Sequence, residues 1–132
     1  MSLSLPADIE PFLDDTHAFE RIRGPACYLL SLERPSDVRE AWNETFDVLP
    51  AYMDELESAQ SAVYVGAAND LLRRLNDHAN GEKRKAALLE VCDVVDLVEV
   101  WWFDSVEKAF ERESMIATNL ANEMSNVYVH QR

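Results

Sequence analysis

Three short stretches of the chain alternate hydrophobic and polar positions or are rich in valine and aromatic residues, which is typical of β-strands. They predict strands over residues 26–32, 62–66 and 94–103, with 127–129 as a candidate edge strand. Because side chains alternate along a strand, Tyr28 lies on the face opposite Cys27. By the same rule, Tyr64 points away from its neighbour Val65.

Hydrophobic residues recur at helical spacing between and around these strands. The spacing predicts helices over about 7–23, 69–80, 83–92 and from 104 or 105 to about 120. Asn69 or Asp70 can cap the second of these helices, and Gly81 ends it. Residues 36–60 form a helical insertion, in which Pro50 is the predicted first residue of a second short helix. Its large hydrophobic residues favour packing on the core over an oligomer seam, and they are Trp42, Phe46, Leu49, Met53 and Leu56.

The order of these elements predicts an α+β fold, with a small, mainly antiparallel three-stranded sheet flanked by helices. A chain of 132 residues fits a single domain, and its 48% hydrophobic content is enough for a compact core. No apolar run reaches the ~18 residues of a membrane span, and residues 1–6 do not have the pattern of a signal peptide. Cys27 and Cys92 are expected to be reduced thiols in a cytoplasmic protein, without metal-type Cys/His spacing.

The formal net charge of −13 opposes contact with nucleic acid, because phosphates repel an acidic surface. Nine arginines but only three lysines accompany this acidity, which suggests a halophilic protein whose self-repulsion is screened by salt. One segment has the opposite sign, with five basic and two acidic residues between positions 73 and 85. Its basic residues form either an ordinary solvated surface or a phosphate-facing patch, and they are Arg73, Arg74, Lys83, Arg84 and Lys85.

Five polar residues form a candidate set for cleaving phosphodiesters. Glu113 falls near the centre of the apolar face of the last helix, where a carboxylate is costly unless it is paired or binds a cation. It is therefore either half of a buried salt bridge or a ligand of a hard divalent cation. Arg74 and His78 are four residues apart and share one helix face, whereas Arg73 points away from it. With the phenols of two strand tyrosines, these groups complete the set.

This arrangement resembles the GIY-YIG nuclease family. Ala26-Cys27-Tyr28 stands for the first motif, and Tyr64-Val65-Gly66 stands for the second. Arg74 follows Gly66 by eight residues and His78 follows by four more, while residues 109–116 are similar to the metal-binding helix of the family. The resemblance covers residues 26–32 and 62–126. Ala26 occupies a position where glycine is usual, and 35 residues separate the two motif tyrosines where the family commonly has a short hairpin.

The resemblance implies a nuclease with one divalent ion, Mg²⁺ or Mn²⁺, held by Glu113. One motif tyrosine, Tyr64 or Tyr28, would orient or deprotonate the attacking water. Arg74 would neutralise the phosphate, and His78 would relay the proton or hydrogen-bond the phosphate. The late asparagine of the family has two candidates, of which Asn126 fits the spacing better than Asn122.

The expected activity is that of a metal-dependent DNA endonuclease, with Arg73, Lys83, Arg84 and Lys85 contacting DNA. Since the chain has no added recognition domain, we expect structure-selective or partner-directed cutting. Whether it acts as a homodimer or with a protein partner is left open. The alternative is a catalytically inactive nucleic-acid-binding or protein-interaction module on the same fold.

Overall fold

The structure is a computed structural model that describes residues 9–13, 24–80, 87–124 and 126–131. Its strands are β1 (Ala26–Glu33), β2 (Ser61–Ala68), β3 (Asp93–Trp102) and β4 (Val127–Gln131). Its α-helices are α1 (Val38–Thr45), α2 (Met53–Ser58), α3 (Leu71–Asn80), α4 (Ala87–Val91) and α5 (Val106–Glu123). A short 3-10 helix covers Glu10–Phe12. None of the described helices is both long and apolar enough to cross a bilayer.

The four strands form one sheet in the order β3-β1-β2-β4. β1 is antiparallel to both β2 and β3, whereas β4 is parallel to β2. The prediction of an α+β fold with a sheet flanked by helices is therefore confirmed, but the sheet has four strands rather than three. The candidate edge strand over 127–129 is confirmed, since β4 lies at the edge of the sheet, and α5 carries the chain back along the sheet as the parallel connection from β3 to β4 requires.

The two faces of the sheet are covered by different helices. Tyr28 and Tyr64 belong to the larger core cluster, together with buried residues of α1, α2, α3 and α4. We call this side of the sheet the phenol face. The opposite side, which we call the α5 face, carries Cys27, Leu29 and Val65, packed against the helix α5. The alternation predicted from the sequence along β1 and β2 is confirmed.

The insertion between β1 and β2 contains α1 and α2. Its five large hydrophobic residues all belong to the main core or pack against it, as predicted. The prediction that Pro50 is the first residue of the second helix is wrong, because α2 begins at Met53. The carbonyl of Pro50 accepts a hydrogen bond from the Met53 amide at 3.1 Å, which closes a turn ahead of the helix.

Side chains cap the two helices that matter most for the site. The carboxylate of Asp70 accepts a hydrogen bond from the Arg73 amide at 3.1 Å, at the start of α3. The hydroxyl of Ser105 accepts one from the Lys108 amide at 3.3 Å, at the start of α5. Both caps satisfy backbone donors that the first helical turn leaves without partners. α5 continues to Glu123, a few residues beyond the predicted end.

Some predicted elements fall largely outside the described residues. Of the predicted N-terminal helix over 7–23, the structure describes residues 9–13, where Ile9 is fully buried in the main core. Residues 81–86 also lie outside, including Gly81 and the basic residues Lys83, Arg84 and Lys85.

Candidate active site

Tyr28 and His78 form a buried hydrogen-bonded pair on the phenol face. Tyr28 on β1 has no exposed surface, and His78 on α3 is 4% exposed. The Tyr28 hydroxyl lies 2.8 Å from His78 Nε2, a normal hydrogen-bond distance. A buried hydrogen bond between two side chains fixes the orientation of both rings, because breaking it would leave polar groups without water.

Tyr64 lies beside this pair on the neighbouring strand. Its ring centroid is 6.3 Å from that of Tyr28 and 5.7 Å from that of His78, and it too is fully buried. Gly66, two residues further along β2, is directly opposite Tyr28 in the strand register. A Cβ atom on Gly66 would lie 2.4 Å from both Cζ and Oη of Tyr28. The glycine of the second motif is therefore required by the ring that lies over it.

Arg74 brings a positive charge to the two phenols. Its side chain is half buried, and it interacts electrostatically with both Tyr28 and Tyr64. Burial acts to lower the pKa of Arg74, but the interactions with the two phenols outweigh it, so the pKa lies above its ordinary value. Arg73, one position earlier, is exposed. Helical spacing thus predicted correctly that Arg74 faces the protein and Arg73 faces solvent, while their roles stay predictions.

Glu113 lies on the opposite side of the sheet from the phenols. It is 4% exposed, and it belongs to the buried stripe by which α5 packs on the α5 face. The side-chain amide of Gln131 donates a hydrogen bond to Glu113 Oε1 at 3.3 Å. Burial, followed by the charge of Glu113, raises the pKa of Cys27 to about 12. The burial expected from the sequence is confirmed, but no single face holds both Glu113 and the phenols.

The two groups nevertheless meet at one part of the sheet. Gln131, which contacts Glu113, is the partner of Val65 in the last described pair between β4 and β2. Gly66, which lies beneath the Tyr28 ring, is the next residue of β2. Glu113 and the phenols therefore lie on opposite sides of the same short segment of β2, near the position where the described part of β4 ends.

Asn126 lies away from the phenols, in the turn that precedes β4. Its backbone has a φ of 59°, in the left-handed region that asparagine tolerates better than most residues. Its carbonyl accepts hydrogen bonds from the amides of Gln60 and Ser61, at 2.7 and 3.4 Å. This is the end of β2 opposite to Gly66, so the structure does not bring Asn126 to the other candidate residues.

His130 is a residue near the site that sequence reasoning missed. It is the partner of Tyr64 in the parallel pairing of β4 with β2, and the two rings stack at 5.9 Å with an interplanar angle of 23°. Alternation along 127–131 could have placed His130 and Tyr128 on one face. Its contact with Tyr64 could not have been found, because it depends on which strand β4 pairs with.

The donor chemistry of Glu113 fits a hard divalent ion. Mg²⁺ typically binds one or two carboxylates together with water and substrate phosphate, so a single protein carboxylate can suffice. No group of three or more His, Cys, Asp and Glu side chains able to hold a metal occurs in the part of the chain that the structure describes. An ion on Glu113 would therefore take further ligands from water and from the substrate phosphate.

Comparison with protein-family models identifies the family to which the chain is similar. The model of the GIY-YIG catalytic domain matches residues 53–125, which is more than half of the chain. The matched region contains β2, α3, β3 and α5, and so Tyr64, Arg74, His78 and Glu113. No curated protein and no solved structure matches the chain at a significant level.

Proposed function

The chain belongs to the GIY-YIG family, whose catalytic domain is a nuclease domain, and from this premise we propose that it is a metal-dependent DNA endonuclease. The observation that carries the proposal is the convergence of two phenols, one guanidinium and one imidazole on the phenol face. Four residues from two strands and one helix meet there in one cluster, in which Tyr28 is hydrogen-bonded to His78, and they are Tyr28, Tyr64, Arg74 and His78.

Arg74 is the proposed phosphate-binding residue. Guanidinium keeps its charge at any pH at which a protein is folded and donates several hydrogen bonds, which suits the charge of a phosphodiester and of its transition state. The half-buried position beside the phenols gives this charge a low-dielectric surrounding, where electrostatic interactions are stronger than in water. Arg73 is exposed on the same helix and is proposed to contact DNA away from the scissile bond, together with Lys83, Arg84 and Lys85.

The phenols are the proposed groups that handle the attacking water. In hydrolysis, the water oxygen bonds to phosphorus, the bond from phosphorus to the 3′-oxygen breaks, and a proton leaves the water. The positive charge of Arg74 stabilises the ionised form of a neighbouring phenol, which is the form that accepts this proton. Tyr64 and Tyr28 both lie beside Arg74, so either can take this role. His78 is hydrogen-bonded to Tyr28 and is proposed to relay the proton.

Glu113 is the proposed ligand of the single Mg²⁺ or Mn²⁺ ion. GIY-YIG nucleases generally use divalent ions, and the ion would supply charge stabilisation to the phosphate and to the leaving oxygen. Glu113 and Arg74 approach the same segment of β2 from opposite faces. We therefore propose that the phosphate binds at the edge of this segment, beside Gly66, where groups from both faces can reach it.

Cutting is proposed to be structure-selective or partner-directed, with DNA as the substrate. A net charge of −13 gives the chain little general attraction for a regular duplex. Binding then depends on a local cationic surface and on the shape of the DNA, or on a partner that brings the DNA.

Two observations favour a second candidate function, that of a catalytically inactive nucleic-acid-binding or protein-interaction module. Tyr28 and Tyr64 have no exposed surface, whereas a group that acts on water at a phosphate has to reach that phosphate. Glu113 is also separated from both phenols by the sheet. Catalysis therefore requires the residues that bury the phenols to move aside when DNA binds, whereas a binding module does not require this movement.

The test is a cleavage assay on branched, single-stranded and duplex DNA, with Mg²⁺, Mn²⁺ or a chelator, from about 0.1 to 2 M salt. Glu113→Gln removes the charge but keeps the size of the side chain, and Glu111→Gln is the matched control, since Glu111 is exposed on the same helix. We expect metal-dependent cleavage that Glu113→Gln and Arg74→Ala abolish while circular dichroism stays unchanged.

Cleavage that persists at full rate in Glu113→Gln would contradict the role of this carboxylate. Binding of DNA without cleavage under every metal and salt condition would instead support the inactive module.

A further inference from the structure

An aromatic cluster on the phenol face takes no part in the proposed chemistry, yet it contacts Tyr64. The cluster consists of Tyr52, the residue immediately before α2, and of Tyr128 and His130, which both belong to β4. Tyr52 and Tyr128 stack with ring centroids 5.4 Å apart and an interplanar angle of 15°. His130 lies 4.9 Å from Tyr52, again between ring centroids. All three side chains are partly buried.

His130 connects this cluster to Tyr64. Its Nδ1 is 2.9 Å from the hydroxyl of Tyr128, and its ring is stacked on that of Tyr64. Burial lowers the pKa of His130, and burial together with Tyr52 and Glu55 raises the pKa of Tyr128. Both partners are therefore neutral near pH 7, so their hydrogen bond holds the imidazole in one orientation without a change of charge.

The two phenols of the candidate site are held in different ways. Tyr28 is hydrogen-bonded directly to His78. The ring of Tyr64 packs edge-to-face with that of His78, with ring centroids 5.7 Å apart. It also stacks on the ring of His130, with ring centroids 5.9 Å apart. A ring confined by a stacked imidazole cannot rotate freely, because a shift would cost favourable aromatic contacts and open a void.

We infer that His130 is a positioning residue for Tyr64, and that the 36–60 insertion supports it through Tyr52. The insertion itself is anchored to the core, since Tyr52 also contacts the ring of Trp42 edge-on at 5.9 Å. Contacts thus run from the core of the insertion through Tyr52 and Tyr128 to His130 and then to Tyr64. This gives the insertion a role in the active site, although it contains none of the proposed catalytic residues.

The inference rests on the proposed function, because the position of Tyr64 affects cleavage only where Tyr64 acts on the substrate. Small displacements of a reacting group reduce the rate of the chemical step more than they reduce substrate binding. Loss of the support is therefore expected to lower kcat and to leave KM nearly unchanged. The position of the Tyr64 ring can be measured without any cleavage. This measurement separates the inference that His130 positions Tyr64 from the proposal that the chain is a nuclease.

The experiment combines NMR of ring-labelled tyrosine with steady-state cleavage, using the full chain. The chain has four tyrosines, and a Tyr64→Phe sample identifies the signal of Tyr64. Tyr128→Phe removes only the hydroxyl that contacts His130 and keeps the ring stacked on Tyr52. Tyr52→Leu removes the aromatic ring of Tyr52, whereas Tyr52→Phe keeps it. Val48→Ala is the control, because Val48 lies in the same insertion and is 77% exposed.

We expect Tyr128→Phe and Tyr52→Leu to shift the Tyr64 signal and speed its ring flips, with kcat lowered about tenfold and KM changed by less than about twofold. Tyr52→Phe and Val48→Ala should match the wild type in both readouts. An unchanged Tyr64 signal in folded Tyr128→Phe would overturn the inference even if cleavage falls. If the wild type does not cleave DNA, the proposed function fails, and the NMR comparison still decides whether His130 positions Tyr64.

Discussion

Replacing Gly66 by alanine should destabilise the protein by crowding a ring that cannot move away. The new Cβ would lie 2.4 Å from Cζ and Oη of Tyr28 and 2.9 Å from Cε2. Real Cβ atoms essentially never lie within 3.0 Å of an atom to which they are not bonded. The Tyr28 ring is fully buried and its hydroxyl is hydrogen-bonded to His78, so it can only shift by disturbing the core.

The magnitude follows from three effects. Overpacking of a well-packed core costs about 1–3 kcal/mol. Displacing the Tyr28 hydroxyl from His78 costs about 1 kcal/mol more, the usual value of a buried hydrogen bond. Alanine in place of glycine within a strand returns roughly 0.5–1 kcal/mol, because it restricts the unfolded chain. The net loss is about 2 kcal/mol, which for a chain of 132 residues lowers Tm by roughly 7 °C.

The assay is urea denaturation followed by circular dichroism, together with thermal melting, at a fixed high salt concentration. Ser61→Ala is the control, because Ser61 is exposed at the start of the same strand. Tyr28→Leu shortens the side chain that the new methyl group would meet. In that background only the gain from restricting the unfolded chain is left, so Gly66→Ala should stabilise by roughly 0.5–1 kcal/mol, and the double-mutant cycle should give a coupling of about 3 kcal/mol.

Two results would refute the reasoning. One is a Gly66→Ala variant whose free energy of unfolding lies within about 0.5 kcal/mol of the wild type, the scale of an ordinary surface substitution. The other is an equal cost of Gly66→Ala with and without the tyrosine ring, which would place the strain elsewhere than at Tyr28.

Three further predictions concern stability. The pKa of the Cys27 thiol is raised from 9.0 to about 12 in the folded state, so its contribution to the free energy of unfolding is complete below pH 9 and is lost as the pH rises towards 12. A difference in the free energy of unfolding between wild type and Cys27→Ala that stays constant over this pH range would contradict the prediction. Ser105→Ala removes the cap that accepts from the Lys108 amide and should cost about 1 kcal/mol in urea denaturation, whereas Ser105→Thr should cost less. Because the net charge is −13, the free energy of unfolding should increase as salt rises from about 0.1 to 2 M, and a flat salt titration would argue against halophilic adaptation.

The sequence determined the local features of this fold. Strand alternation placed Tyr28 and Tyr64 on the faces that the structure shows, and helical spacing put Arg74 inside and Arg73 outside. For α3 and α5, the sequence limited the start of the helix to two neighbouring positions, 69 or 70 and 104 or 105. These features could be predicted because they depend on the geometry of a single strand or helix, which repeats every 2 or 3.6 residues.

Only the tertiary structure decided how these elements combine. The periodicity of α5 showed that Glu113 faces the core, but it could not show which face of the sheet the helix covers. For the same reason, the approach of His130 to Tyr64 was not visible in the sequence, because it requires β4 to pair with β2 in one parallel register. Packing across a sheet and pairing between distant strands are set by burial over the whole chain. They place four proposed site residues together, put Glu113 across the sheet from them, and move Asn126 to the far end of the strand.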